Sequence, residues 1–303
     1  MAMRNVKNAH YFQIDHQIKN ISQVKGVEIL SSLAAWKKYN WARKYFSLKP
    51  KEGYFIWVKK QVSFPLFTCI LLCSKNITQN LQNLLIIEKN LKISFQGTCQ
   101  AAKKNLLGAH EAQGKIILKE GSSLKYKHFH SWGQKDIVTS CYEFFLEKNS
   151  KLDYVFKTLS TPRKLRINTS FNLLTGASCN AKIVANCKGT ETEIKDNLIL
   201  KEKEASGQVQ IRLVAREASK VSAYSKIEAQ AESRGHLDCQ GLVLDKGSEV
   251  SLVPELLCKN KKAQITHEAS IGKISQEQLN YLRMRGLTEK EATNLIINGF
   301  LTL

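Results

Sequence analysis

From about position 115 onward the chain never runs far in one direction. Short β-forming runs are cut by small polar corners such as Glu120-Gly121-Ser122-Ser123, Lys188-Gly189-Thr190, Ala205-Ser206-Gly207, Glu217-Ala218-Ser219, Glu232-Ser233-Arg234-Gly235 and Lys246-Gly247-Ser248. These corners return at a loose spacing of roughly 13 to 18 residues, with no helical pattern between them. Strands this short, without intervening helices, suit a stacked β-solenoid whose inward Val, Ile, Leu, Ala and Cys form ladders. Periodicity alone leaves an antiparallel sandwich nearly as well supported.

The N-terminal third reads differently. Residues 1–25 are polar and mixed, an irregular leader or docking arm. Leu30, Leu33, Trp36, Tyr39, Ala42, Tyr45 and Phe46 repeat at three- and four-residue spacing, which predicts a helix over 27–46 with an apolar-aromatic face. A turn at 49–53 leads into a buried strand over 54–58. Further strands are expected at 66–72, 84–88 and 92–95, then a short helix or loop over 101–110. The expected division is an N-terminal α/β region over 1–110, a β core over 111–273 and a helical segment over 274–303.

With 303 residues, 43% of them hydrophobic, the chain can bury a substantial core. The N-terminus has no apolar signal core, and the most apolar run, Val62–Cys73, is interrupted by Pro65. That run falls well short of the ~20 residues a bilayer helix needs, so a cytoplasmic chain without a membrane span is expected. The eight cysteines include no Cys-x-x-Cys pair, and they read as buried thiols or ligands rather than a disulfide framework. A formal charge of +20 attracts anionic partners. No RNA-binding signature and no basic stripe interleaved with aromatics accompanies it, so nucleic acid is not the expected partner and solvated β faces account for most lysines. No phosphate-binding loop and no Gly-x-Ser-x-Gly elbow is present, and the chain itself is not expected to be an enzyme.

From Gly235 to the C-terminus two patterns meet. Short β runs at 241–244, 250–253 and 263–266 give way at Ser275 to helical periodicity. Ser275-Gln276-Glu277-Gln278 and Thr288-Glu289-Lys290-Glu291 both have capping-box form. Gly286 can take the left-handed position that ends the first helix, and Gly299 is expected to end the second, with Ala292, Leu295 and Ile296 on one face. Cys239, His267 and Glu268, all metal-competent, lie near this join.

The same stretch carries an ordered series: Cys239, Val253-Pro254-Glu255-Leu256, Thr266-His267-Glu268-Ala269-Ser270, Gly272-Lys273-Ile274, Glu277-Gln278-Leu279, Tyr281-Leu282, Arg285-Gly286-Leu287, Glu291-Ala292, Ile297 and Gly299-Phe300. It resembles the C-terminal core of the SufB/SufD family, scaffold proteins of iron–sulfur cluster assembly. The resemblance implies a mainly β fold, a right-handed parallel β-helix core with an N-terminal helical region and two C-terminal helices, the latter as caps on one end. It also implies a transient iron–sulfur cluster built at a dimer interface, with Cys239, His267 and Glu268 as ligands. His267 followed by acidic Glu268 stands nearer SufB than SufD, and a homodimer could present the set from both halves. The implied partner is a SufC-like ABC-type ATPase docked on the C-terminal helices in a 2:2 complex. Its ATP-driven dimerisation would open the interface; the sulfur donor stays unnamed.

Cys99, His110, His128 and His130, with Trp132, form a second group. His128 and His130 alternate along a strand and so share one side, about 7 Å apart. They suit ligands to one metal or a pocket that handles persulfide, against the plainer reading of satisfied polar strand residues. The chain lacks the long N-terminal extension of familiar family members, so flavin binding is not carried over. Two other classes stay open: a SufD-like structural subunit that holds no cluster, and a polyanion- or RNA-binding solenoid.

Overall fold

The structure is a computed structural model that describes residues 9–302. Strands, numbered along the chain, alternate between two sheets. Sheet A contains β1 (His10–Ile14), β2 (Gln17–Ser22), β5 (Leu66–Leu72), β7 (Lys92–Ala101), β9 (Ser123–Ser131), β11 (Lys151–Ser160), β13 (Ser178–Lys188), β15 (Ser206–Arg216), β17 (Arg234–Val243) and β19 (Gln264–Gly272). Sheet B contains β3 (Val27–Ser31), β4 (Tyr54–Val58), β6 (Thr78–Ile87), β8 (Ala109–Leu118), β10 (Ile137–Leu146), β12 (Lys164–Leu173), β14 (Glu191–Leu200), β16 (Lys220–Ala229) and β18 (Glu249–Cys258). Apart from the N-terminal pairs β1–β2 and β3–β4, the ladders between named strands are parallel. The chain is a parallel β-solenoid of about eight turns, with two C-terminal helices.

Each turn uses two strands and two corners, so the corner spacing seen in the sequence is half the structural repeat. Ala109, Ile137, Lys164, Glu191, Lys220 and Glu249 stand in one register row, which sets the turn at 27 to 29 residues. Alternate residues point inward, and the strict alternation of burial along β9 or β14 is that period of two. The inward residues of both sheets form one long core. Phe144 stacks on Phe171 one turn away with centroids 5.1 Å apart.

The N-terminal end departs from expectation in two places. The described part of residues 1–25 is a β-hairpin, β1–β2, turned at Asp15 and joined to β5, rather than an irregular leader. Its partner strand β5 lies 57 residues on, His10 pairing with Phe67, so no local pattern announces the pairing. The helix expected over 27–46 is instead β3, then α1 (Ser32–Lys38) and a 3-10 turn over Asn40–Tyr45. Pairing of Val27–Ser31 with β4 overrides the helical spacing, and Ser31 then caps α1 by accepting from the Ala34 N–H. Ala35, Ala42 and Phe46 bury against Phe55, Leu84, Ile86 and Ile117 on the outer face of sheet B. Between 101 and 110 the chain makes a corner and enters β8, and both sheets continue through this region without a break.

At the other end α2 (Gln276–Met284) and α3 (Glu289–Leu301) follow β19. The Thr288–Glu291 capping box forms, whereas Ser275 makes no side-chain cap bond. Gly286 takes the left-handed conformation at φ 92°. Gly299 does not end α3, which runs on to Leu301 and buries Ala292, Ile297 and Leu301; Leu295 is exposed. Ile297 and Leu301 pack on Val184, Val214 and Leu242, so α3 lies on the outer face of sheet A rather than over the end of the stack. The last strands β18 and β19 therefore keep an uncovered side, and none of their residues is fully buried.

Gly114 tests the register. It is an inward position on β8, and a Cβ there would meet the Tyr142 ring of the next turn at 2.2 Å. Gly114→Ala should lower stability in urea unfolding by about 1–3 kcal/mol. Gly272→Ala, with nothing within 4 Å of its added Cβ, should be close to neutral. Equal costs at the two positions would contradict the inward stacking.

Candidate functional site

Parallel register decides which sequence candidates meet. In sheet A, Cys99 of β7 stands beside His130 of β9, and His128 lies two residues before His130 on the same inward side. Cys99, His128 and His130 come together, with ligand atoms all within 4.8 Å of one another and all three side chains buried. The two imidazoles, expected about 7 Å apart on an extended strand, turn toward each other so that their Nε2 atoms are 3.0 Å apart. Cys99 Sγ lies 3.9 Å from His128 Nε2. His110 joins from β8 across the interior, its ring 4.7 Å from Trp132 and 6.1 Å from His130.

Hydrogen-bond partners fix the proton positions. Trp132 Nε1 can only donate, and it reaches His130 Nδ1 at 3.2 Å. His130 in its neutral form then carries its proton on Nε2 and donates to His128 Nε2; His128 in turn donates from Nδ1 to Tyr154 Oη at 3.3 Å. The chain of donors runs one way, from Trp132 inward to Tyr154. Gln79 gives its amide N–H groups to the carbonyls of Asp15 and Leu71, so its oxygen faces His110 Nδ1 at 2.9 Å. His110 consequently holds a lone pair on Nε2 that has no partner in the structure.

Burial holds His110 at about 3, and burial together with the neighbouring imidazole of His110 holds His128 there too. His130 is pushed well below the ordinary histidine range by burial and by the other two imidazoles. Burial also drives the Cys99 thiol far above its ordinary value. At neutral pH this chamber holds a thiol and three uncharged imidazoles, a soft neutral donor set. A metal ion could take His130 Nε2 only if that proton moved to Nδ1, where the Trp132 N–H already points. Metal ligation by the whole triad thus requires Trp132 to turn away.

Cys239, His267 and Glu268 are placed otherwise. In the β17–β19 ladder Leu237 pairs with His267, Asp238 with Glu268 and Cys239 with Ala269. Cys239 and His267 face inward in neighbouring columns of the last two turns. Glu268 stands on the outer face, beside Asp238. His267 and Glu268 are exposed, while Cys239 is 1% exposed. Within one chain the three do not close into a common ligand group. Burial pushes the Cys239 thiol up to about 11, against the pull of a hydrogen bond with Ser225.

Two partners of Cys239 escaped the sequence reading. Ser225, inward on β16, donates to Asp196 Oδ2 of β14 at 3.1 Å. Asp196 is 1% exposed, its Oδ1 has no partner, and burial raises its pKa to about 7 despite the Ser225 bond. The signal was present: Asp196 interrupts the inward series Thr192, Ile194 and Leu198, where an apolar residue belongs. On the outer face Arg212 holds Asp238, next to Cys239, with a bidentate pair and a further bond to the Asp238 carbonyl.

Residues 70–300 match the family model described as SUF system FeS cluster assembly, SufBD core domain. The chain belongs to the SufBD family. It is 26% identical over 321 residues to an iron-sulfur cluster assembly SufBD family protein of Methanothermobacter thermautotrophicus, covering 97% of this chain and 78% of that one. An Archaeoglobus fulgidus SufBD family protein is 25% identical, with 99% and 86% covered. A longer Staphylococcus epidermidis relative is 25% identical over 257 residues, 82% of this chain and 55% of its own length. Among the described residues no helix is long and apolar enough to cross a membrane.

The Asp196 carboxyl predicts a pH signature. Its folded pKa of about 7 lies above the ordinary 3.8, so the native state holds the proton more tightly than the unfolded chain. Its contribution is complete below about 4 and is lost as pH rises to about 7. Asp196→Asn should gain stability relative to the native sequence across that window and keep a constant difference above it. Parallel denaturation curves at pH 4, 5.5 and 7.5 would count against a buried neutral carboxyl.

Proposed function

We propose that the chain is an iron–sulfur assembly scaffold that builds a transient cluster between two copies of itself. The observation that carries this reading is the open last turn of a SufBD core. Inward Cys239 lies one turn below β19, two residues off the row of inward His267, Glu268 follows His267 on the outer face, and β18 and β19 have no covering layer. Paired across a twofold axis, two such ends would bring two thiols, two imidazoles and two carboxylates into one space. That mixed set suits a cluster meant to be handed on.

The driving partner in this reading is an ABC-type ATPase on α2 and α3, and ATP hydrolysis belongs to that partner. Tyr281, Met284 and Leu295 are exposed large apolar side chains there, at 53%, 79% and 53%. A mechanical route is at hand: α3 packs on Leu242, three residues beyond Cys239 on the same strand. Force on α3 would reach β17, which the Arg212–Asp238 pair clamps to β15. The buried Cys99–His128 chamber favours a second role within the same assembly, holding sulfur or a metal ion before it reaches the interface.

Anaerobic reconstitution with iron and sulfide, with and without the ATPase, tests the site. Native protein should bind iron and acid-labile sulfide in a transferable form, and Cys239→Ser should lose most of both. Equal loading by the two would move the site to Cys99, His128 and His130. No loading by either would leave a SufD-like structural subunit. Separately, Tyr281→Asp combined with Met284→Asp should weaken capture of the ATPase by about tenfold or more with an unchanged circular dichroism spectrum. Unaltered capture would remove α2 from the docking surface.

A further inference from the structure

A cleft of about 510 Å³ opens at the C-terminal ends of the sheet A strands, immediately outside Trp132. Its cations are Lys103, Lys104, Lys188 and Arg216, and no carboxylate lines it. Other outer clefts differ: they carry Glu143, Asp153, or Glu204 with Glu232. The cleft is also built rather than incidental. Lys104 is held against the Trp132–Gly133 corner, where a Cβ at position 133 would strike the Lys104 carbonyl oxygen at 2.3 Å. Asp136, behind this corner, is engaged by the N–H groups of Gly108 and Gly133 at 3.0 and 2.8 Å. Lys188 reaches Glu217 on the rim at 3.2 Å, an ion pair with both side chains about half exposed.

Two lining groups lack partners. Arg216 Nε and Asn186 Oδ1 are both buried from solvent and unbonded. In the β13–β15 ladder Lys188 pairs with Arg216, and Asn186 lies two residues before Lys188 on the same outward side. A small turn of either side chain into the cleft would present an orphan donor and an orphan acceptor beside Lys188.

We propose that this cleft binds a tetrahedral oxyanion that still carries a proton: hydrogenphosphate at neutral pH, or a phosphate monoester in its monoanionic form below its second pKa of about 6. Arg216 and Lys188 meet the anionic oxygens, the geometry for which guanidinium is suited. The acidic P–O–H meets Asn186 Oδ1, which a fully ionised sulfate cannot satisfy. The volume exceeds what a free ion fills, leaving room for an organic group on an ester. The site is independent of cluster assembly, and its test does not require an active scaffold.

Calorimetry on the full chain at fixed ionic strength, with chloride as the reference salt, tests the assignment, because a chain of +20 attracts all anions weakly. Inorganic phosphate at about pH 7, or glycerol phosphate at about pH 6 where it keeps a proton, should bind saturably at one site, with sulfate weaker by about tenfold or more. Arg216→Gln with Lys188→Met should weaken phosphate by a similar factor, while Lys226→Met with Lys259→Met, on the other sheet, should leave it unchanged. Should the first pair unfold the chain, Lys103→Met with Lys104→Met probes the same cleft from an exposed loop. Tighter binding of the ester assigns the remaining volume to its organic part; tighter binding of inorganic phosphate assigns the free ion. Absence of saturable binding, sulfate binding as tight as phosphate, or equal losses in the control variant would overturn the proposal.

Discussion

Each turn of this solenoid donates a row of backbone hydrogen bonds to the next, in register over about ten residues, so every inward side chain sits beside its counterpart one turn on. A slip of one residue would reverse inside and outside along the whole strand, and burial of the inward rows forbids it. Function inherits that constraint. Cys99 meets His130 because β7 and β9 share a register row. Cys239 lies beneath Ala269, offset by two residues from His267, for the same reason.

The interior is not uniformly apolar, and some of the exceptions lie in the two cysteine groups. Buried imidazoles and a buried carboxyl cost stability unless they are neutral or hydrogen-bonded. The histidines meet that condition through a one-way chain of donors from Trp132 to Tyr154, with His110 held apart by Gln79. Asp196 meets it only in part, through Ser225. A half-satisfied group of this kind is expensive in a structural core, and Asp196 lies near Cys239. One cysteine is enclosed at the N-terminal part of the stack and the other is one rung from its open end.

Much of the lysine content has an ordinary explanation. Lys119 with Glu147, Lys164 with Glu191, Lys226 with Glu255 and Lys259 with Glu228 are ion pairs between neighbouring turns, the first three spaced by one structural repeat. They decorate solvated faces, as a chain of alternating strands must. The cleft outside Trp132 is different, because four cations line it and no carboxylate does, with Glu217 reaching Lys188 only from the rim.

Local chemistry determined most of the strands, the corners and the two C-terminal helices, because period-two alternation, capping residues and turn residues act over a few positions. It also named Cys99, His128 and His130 as one group. Only the tertiary structure decided the hairpin at residues 10–22, the strand at 27–31 and the placement of α3 on the flank, since each depends on a partner strand or face distant in sequence. The same holds inside the sites. Separation of Glu268 from Cys239, the inward turn of the two imidazoles, the Trp132 bond that sets their tautomers and the Asp196–Ser225 contact all follow from which turn lies beside which. No pattern within a single turn encodes that.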